Sequence, residues 1–271
     1  MTRSIEEYRQ ILELWEVGTN KKAIARITGI PRRTIIDCIQ RYGNLETLEV
    51  HIVEELTPIV PQILRGEIVG DCSRQLEAYA YILGIYLGDG NLSLVRKTLR
   101  LRVTLDTKYP NIIVKCVNEL QILLPENQIG IVNRERDGRI RAVDVTAYYK
   151  YWDLLLPQHG KGEKHSRLIK LETWQDKIVD QYPIAFFQGL YHSDGSRSRN
   201  IVDGIDYPRY CFSNCSKDIV DLFCATCDRL GVHWTPKFFK SRDPKKQDRW
   251  DIYISKRPDV AYLDSVIGAK S

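Results

Sequence analysis

Apolar positions recur at helical spacing through the first forty residues. Ile11, Leu12, Leu14 and Trp15 share one face of a helix over residues 5–17 that Gly18 ends, and a second short helix begins at Asn20. Small Ala25 lets two helices approach, Gly29 permits a tight turn, and Pro31 suits the first turn of a third helix whose Ile35 and Ile39 point inward. This order predicts a helix-turn-helix domain over residues 1–43, with Arg32, Arg33, Asp37 and Gln40 turned outward toward phosphates and base edges. The periodicity then breaks. Residues 44–75 contain Pro58, Pro61 and four glutamates between positions 46 and 55, and read as an acidic linker.

Beyond the linker, two apolar stretches match. They are Tyr81-Ile-Leu-Gly-Ile-Tyr-Leu-Gly-Asp-Gly90 and Phe186-Phe-Gln-Gly-Leu-Tyr-His-Ser-Asp-Gly195, and their carboxylates, Asp89 and Asp194, are 105 residues apart. Each leads into two strand-like runs, a helix, two more strand-like runs and a helix, which predicts one supersecondary unit duplicated in the chain. In the first copy these are strands 92–96 and 99–105, a helix over 111–124, a hairpin turning at Asp137-Gly138 and a closing helix over 147–156. In the second they are strands near 197–202 and 207–212, a helix over 217–230, strands 234–240 and 249–255, and a closing helix over 258–267.

Small residues spaced four apart, Gly84 with Gly88 and Gly189 with Ser193, share a helical face, so the two motif helices are expected to pack backbone against backbone. Gly90 and Gly195 are expected to be left-handed stops, leaving Asp89 and Asp194 at paired helix C-termini. Helix dipoles and like charge make that placement unfavourable without a cation. Two carboxylates with the carbonyls of Gly88 and Ser193 are hard oxygen ligands that suit Mg²⁺.

Strand alternation sets Leu99, Leu101 and Val103 toward the helices and Arg100 with Arg102 on the open face. Arg134, Arg136, Arg139 and Arg141 are expected to repeat this basic face in the second hairpin, and Arg197, Arg199, Arg209, Lys237 and Arg249 in the other half.

These residues resemble the LAGLIDADG homing endonucleases in their single-chain, two-motif form, over about residues 76–271. The resemblance implies an α+β fold: a pseudo-twofold duplicated αββαββα arrangement with two four-stranded antiparallel sheets forming a saddle over DNA, preceded here by the small all-α domain. It divides the chain into a first half at 76–165 and a second at 166–271. It assigns metal binding to Asp89 and Asp194 by motif position. It also implies a lysine near the joint between halves, for which Lys164 is the first candidate, Lys161 the second and Lys270 a counterpart in the other half. The polar amides often found at the end of each half's second strand are replaced by Thr104 and Ser213, from which weak turnover is expected. The implied function is site-specific double-strand cleavage of DNA by a monomer with Mg²⁺, Ca²⁺ supporting binding without cleavage, in an enzyme of introns and mobile elements. The alternatives are a non-cleaving DNA-binding regulator and an RNA-binding intron maturase.

Composition agrees with a folded chain: 271 residues, 43% hydrophobic and 28% charged. The net charge of +5 is unevenly spread, with eight basic against five acidic side chains in residues 1–43, two against six in 44–75 and thirty against twenty-four in the rest. No apolar run reaches membrane-spanning length and no signal-peptide pattern opens the chain, so a cytoplasmic protein, nucleoid-associated if prokaryotic, is expected. The seven cysteines, Cys211, Cys215, Cys224 and Cys227 among them, then read as reduced thiols rather than a disulfide framework or a zinc site. Protein splicing is disfavoured because the termini lack the nucleophile and the His-Asn pair it needs.

Overall fold

The computed structural model describes residues 5–48, 73–243, 247–267 and 270. The chain divides into two compact units, Met1–Gln62 and Ile63–Ser271. Most of the expected linker lies outside the described residues.

The first unit contains α1 (Ile5–Glu16), α2 (Lys21–Thr28) and α3 (Arg32–Tyr42). Asn20 caps α2 by accepting from the Lys22 and Ala23 amides, and Gly29 ends it at φ 68°, the left-handed conformation that glycine adopts without penalty. Ile11, Leu12, Ile24, Ile30, Ile35 and Cys38 form its core. Arg32, Arg33 and Gln40 are exposed on α3, with Arg33 paired to Asp37 at 3.2 Å. Leu48 is also buried and the Leu45 amide donates to Glu16, so ordered packing continues past residue 43.

The second unit opens with α4 (Ser73–Asp89), which runs directly into β1 (Gly90–Val95) and β2 (Thr98–Asp106). Then come α5 (Pro110–Leu123), β3 (Ile129–Arg136), β4 (Arg139–Tyr148) and the single turn α6 (Trp152–Leu155). After a joint containing α7 (Thr173–Gln181), the pattern repeats with α8 (Pro183–Asp194), β5 (Gly195–Ser198), a small hairpin of β6 (Ile201–Val202) and β7 (Ile205–Asp206), and β8 (Arg209–Asn214). It ends with α9 (Lys217–Arg229), β9 (Thr235–Phe239), β10 (Arg249–Ile254) and α10 (Arg257–Val266). The two four-stranded sheets have the same antiparallel order, β1-β2-β4-β3 and β5-β8-β10-β9. The duplicated αββαββα fold is therefore present in full.

Two expectations about elements are corrected. The closing helix over 147–156 does not form at its start: β4 runs to Tyr148, because Val143, Val145 and Ala147 alternate into the core, and only one helical turn follows. Gly90 and Gly195 are not left-handed. Gly195 sits at φ −91°, ψ 160°, and Gly90 is absent from the positive-φ glycines. Glycine is required there for space, since a Cβ on Gly90 would lie 2.6 Å from the Tyr86 Cα and one on Gly195 would lie 2.5 Å from the Tyr191 carbonyl oxygen.

α4 is buried on nearly every side from Leu76 to Leu87, as its unbroken apolar run requires. It packs on α8 through the small-residue face. A Cβ on Gly84 would lie 2.5 Å from the Phe186 carbonyl oxygen, and one on Gly189 would lie 2.2 Å from the Tyr81 carbonyl oxygen and 2.8 Å from the Ile85 nitrogen. Backbone meets backbone, and no side chain fits between. The joint is pinned by a buried polar network: Tyr79 Oη donates to the Leu155 carbonyl at 2.7 Å, Gln175 Nε2 donates to Tyr79 Oη at 2.7 Å, and Gln158 bridges Gln175 and the Lys170 carbonyl.

Candidate functional site

Close helix packing sets Asp89 and Asp194 side by side. A Cβ on Gly88 would stand 2.6 Å from Asp194 Oδ2 and 2.1 Å from Ser193 Oγ. Both carboxylates are partly buried at helix C-termini, where exposed carbonyls already concentrate negative charge. Burial, with the repulsion of Asp194 added, pushes the Asp89 carboxyl up to about 6; Lys270 and Lys164 act in the opposite direction. Asp194 is also raised by burial, but Asn214 Nδ2 donates to its Oδ2 at 2.9 Å and favours the charged form.

Two lysines neutralise the helix ends. Lys164 Nζ donates to the carbonyls of Tyr86, Gly88 (3.1 Å) and Gly90 (2.6 Å) at the end of α4. Lys270 Nζ donates to the carbonyls of Ser193 (3.1 Å) and Gly195 (3.0 Å) at the end of α8. Burial lowers the Lys164 ammonium to about 8 and lowers Lys270 as well, while both aspartates oppose the shift.

Each lysine faces the carboxylate of the other helix. A cavity of about 420 Å³ is lined by Lys164 with Asp194, Asn214 and His165, and a smaller one of about 220 Å³ by Lys270 with Asp89, Asp106 and His192. Lys161 is exposed and lines neither. Lys164 and Lys270 thus come together with the aspartates, and Lys161 does not.

The carbonyls of Gly88 and Ser193, expected to be metal ligands, each accept from a lysine at 3.1 Å and keep a second lone pair. The carboxylate pair offers a cation its charged donors. Asp89 has no hydrogen-bond partner among the described residues, and Asp194 has only Asn214. Two partly buried, like-charged oxygen donors with spare lone pairs fit a hard divalent ion completed by water and phosphate. Among the described residues no cluster of three His, Cys, Asp or Glu side chains forms an all-protein cage. The cysteines form none either, since Cys224 and Cys227 are buried in α9 and Cys215 is exposed.

Asn214 was missed by one position. Strand pairing matches Thr104 with Ser213, because Val103 lies opposite Gly90 and Phe212 opposite Gly195. The amide therefore exists in the second half, at Asn214, while its counterpart in the first half is Leu105, buried and apolar. His192 was also missed. Its Nδ1 and Tyr81 Oη lie 3.0 Å apart, and burial, with Lys270 and Lys115, lowers it to about 3, so the imidazole is neutral.

The basic faces are narrower than alternation alone suggests. Arg100, Arg102 and Arg134 share one face of the first sheet, and Arg209, Lys237 and Arg249 one face of the second. Arg139 pairs with Arg136, two positions along β3 from Arg134, and so keeps the side of the sheet that Arg134 occupies. The pairing steps from Arg134 opposite Ala142 to Glu135 opposite Ile140, so Arg141 is the extra residue of a β-bulge on β4, which breaks the alternation there. Arg136 falls outside the side chains described. Arg197 pairs across from buried Tyr210 and makes a two-pronged salt bridge to Asp264 of α10 at 2.7 Å, so it braces the helix layer. Arg199 lies beyond the end of β5, bound to Asp206 at 2.7 Å. No described helix is long and apolar enough to cross a membrane.

No family model matches the chain, and no curated protein matches it. Among solved structures, that of the homing endonuclease I-DmoI in complex with DNA and Mn is 19% identical, covering 72% of this chain and 98% of that one at a TM-score of 0.48. The N-terminal LAGLIDADG domain of DUF199/WhiA is 13% identical over 78% and 88% of the two chains, with a TM-score of 0.44. The LAGLIDADG meganuclease I-AabMI bound to uncleaved DNA is 10% identical over 70% and 84%, with a TM-score of 0.41. At these scores none of them adds to what the element order and helix packing already establish, a duplicated fold of the LAGLIDADG type.

Proposed function

We propose that this chain is a site-specific, divalent-metal-dependent DNA endonuclease that acts on both strands as a monomer. The observation that carries this reading is the carboxylate pair, Asp89 and Asp194, held at the ends of two helices packed too tightly to relieve it. Such a pair costs stability, and a cation with a phosphate removes the cost. A bound Mg²⁺ supplies Lewis-acid stabilisation of the scissile phosphate and a more acidic water. Asp89 and Asp194 hold the ion, each facing one strand. Lys164 and Lys270 place positive charge beside the phosphate oxygens where charge develops. Asn214 orients Asp194. Arg100, Arg102, Arg209 and Lys237 hold the duplex by its backbone, and Arg32, Arg33 and Gln40 extend contact from the first unit.

The test is cleavage of a duplex selected from a randomised library. Asp89→Asn and Asp194→Asn are each expected to abolish double-strand cleavage in Mg²⁺ while leaving binding in Ca²⁺ within a few-fold of wild type. Full cleavage by the double variant overturns the assignment. Leu105, apolar where the other half has Asn214, is the observation that favours a binding-only regulator; a duplex bound in both ions and cut in neither would establish that reading.

A further inference from the structure

Each sheet carries a buried acid on the face assigned to DNA. Asp144 is 7% exposed and Asp251 4%. A carboxylate beneath a polyanion is unfavourable, so its presence twice, at matching places, calls for a physical reason. Thr104 pairs with Asp144 across β2 and β4, and Ser213 with Asp251 across β8 and β10. The Thr104 hydroxyl donates to Asp144 Oδ1 at 2.7 Å, and the Ser213 hydroxyl donates to Asp251 Oδ1 at 2.8 Å. On the same oxygens, Arg134 Nε donates to Asp144 at 2.7 Å and Arg249 Nε to Asp251 at 3.0 Å. The Tyr253 hydroxyl adds a third donor to Asp251 at 3.1 Å.

Both arginines are about half exposed, 47% and 52%, while their acids are not. Each is tethered through Nε, and among the described residues neither guanidinium has a second acceptor, so the outer Nη groups are left to a ligand. Arg249 also stacks over the Phe239 ring at 4.9 Å. Phosphate binding gains from free charge and tolerates a flexible side chain, so it is weakened by a neutralising acid. Base reading gains from a guanidinium fixed in plane, because guanine offers two acceptors, O6 and N7, to a planar fork in a groove wide enough for a β-ribbon.

We infer that Arg134 and Arg249 each read a guanine, one in each half of the DNA target, and that Asp144 and Asp251 are the positioning residues that hold them for it. This rests on the DNA-acting reading proposed above. The arginines lie on non-equivalent strands, so the two guanines stand at unequal distances from the cut.

The experiment is selection of bound duplexes from a randomised library in Ca²⁺, using the full chain and its Arg134→Ala, Arg249→Ala, Asp144→Ala, Asp144→Asn and Arg102→Ala variants. Wild type is expected to enrich one guanine in each half. Arg134→Ala should lower the preference about tenfold at one of them and leave the other intact, with Arg249→Ala doing the reverse. Asp144→Ala should cost the same preference as Arg134→Ala although the arginine remains, and Asp144→Asn, which keeps the fold and the Thr104 contact, should weaken it in part. Arg102→Ala should weaken binding to all sequences and leave both preferences in place. A wild-type site without these guanines, or a preference untouched by Arg134→Ala and both Asp144 variants, overturns the inference while the nuclease reading stands on cleavage in Mg²⁺. Retention of no duplex at all overturns both.

Discussion

The two halves of the duplicated unit share element order, strand order and a buried acid beneath an arginine, yet differ around their motif carboxylates. Asp194 has an amide donor, Asn214, and opens on the larger cavity; Asp89 has Leu105 in that place and opens on the smaller. A duplicated scaffold preserves what packing demands, and leaves to drift what only the pocket uses.

The packing itself gives the largest expected effect. Gly189→Ala puts a methyl group into the backbone of the facing helix, where neither the Tyr81 carbonyl nor the Ile85 nitrogen can swing aside, and should cost about 3 kcal/mol or more in urea unfolding. Gly84→Ala should cost a similar amount, and an unchanged midpoint for either would show the helices to be farther apart.

The carboxylates come next. Asp89 is raised from an ordinary 3.8 to about 6, so between about pH 4 and pH 6 the folded state holds a proton that the unfolded chain has released, and stability falls as pH rises. Asp89→Asn should therefore be about 3 kcal/mol more stable than wild type at pH 7 without divalent ions, and equal to it near pH 4. Mg²⁺ should close that gap by stabilising wild type alone. Asp194→Asn should gain less, because Asn214 already favours its charged form. Equal gains from the two variants would erase the distinction between the halves.

Strand-resolved nicking rates test it directly. Asn214→Leu copies the first half into the second and should slow cleavage of one strand about tenfold, or 1.4 kcal/mol, with the other strand unaffected. The smallest effect is expected from Lys161→Ala, exposed and outside both cavities, at under about 0.5 kcal/mol in stability and with no change in either strand's rate. A rate loss matching that of Lys164→Ala would transfer the role to Lys161.

The motif helices were legible in the sequence because their demands are local: small residues four apart and an acid before a terminal glycine. The reason for the terminal glycines was not legible, since clearance from Tyr86 and Tyr191 depends on how the chain turns into the strand. Alternation located Arg100 and Arg102, anchored by Leu101 and Val103, but could not place Arg141, because the bulge it forms shows only in the pairing of β4 with β3. Arg197 failed for the same reason: parity on a short edge strand is fixed only by its partner. Asn214 was one residue from the position inspected, and only the pairing of β5 with β8 separates it from Ser213.

The crossed placement of the two ammonium groups has an evolutionary reading. Lys164 caps the end of the first repeat's motif helix but looks at the second repeat's acid, and Lys270 does the converse. An unduplicated ancestor with this layout would have carried no complete pocket as a lone polypeptide and two upon self-association. Joining two such copies in one chain would keep that interdependence while freeing each pocket to diverge, as Asn214 and Leu105 have.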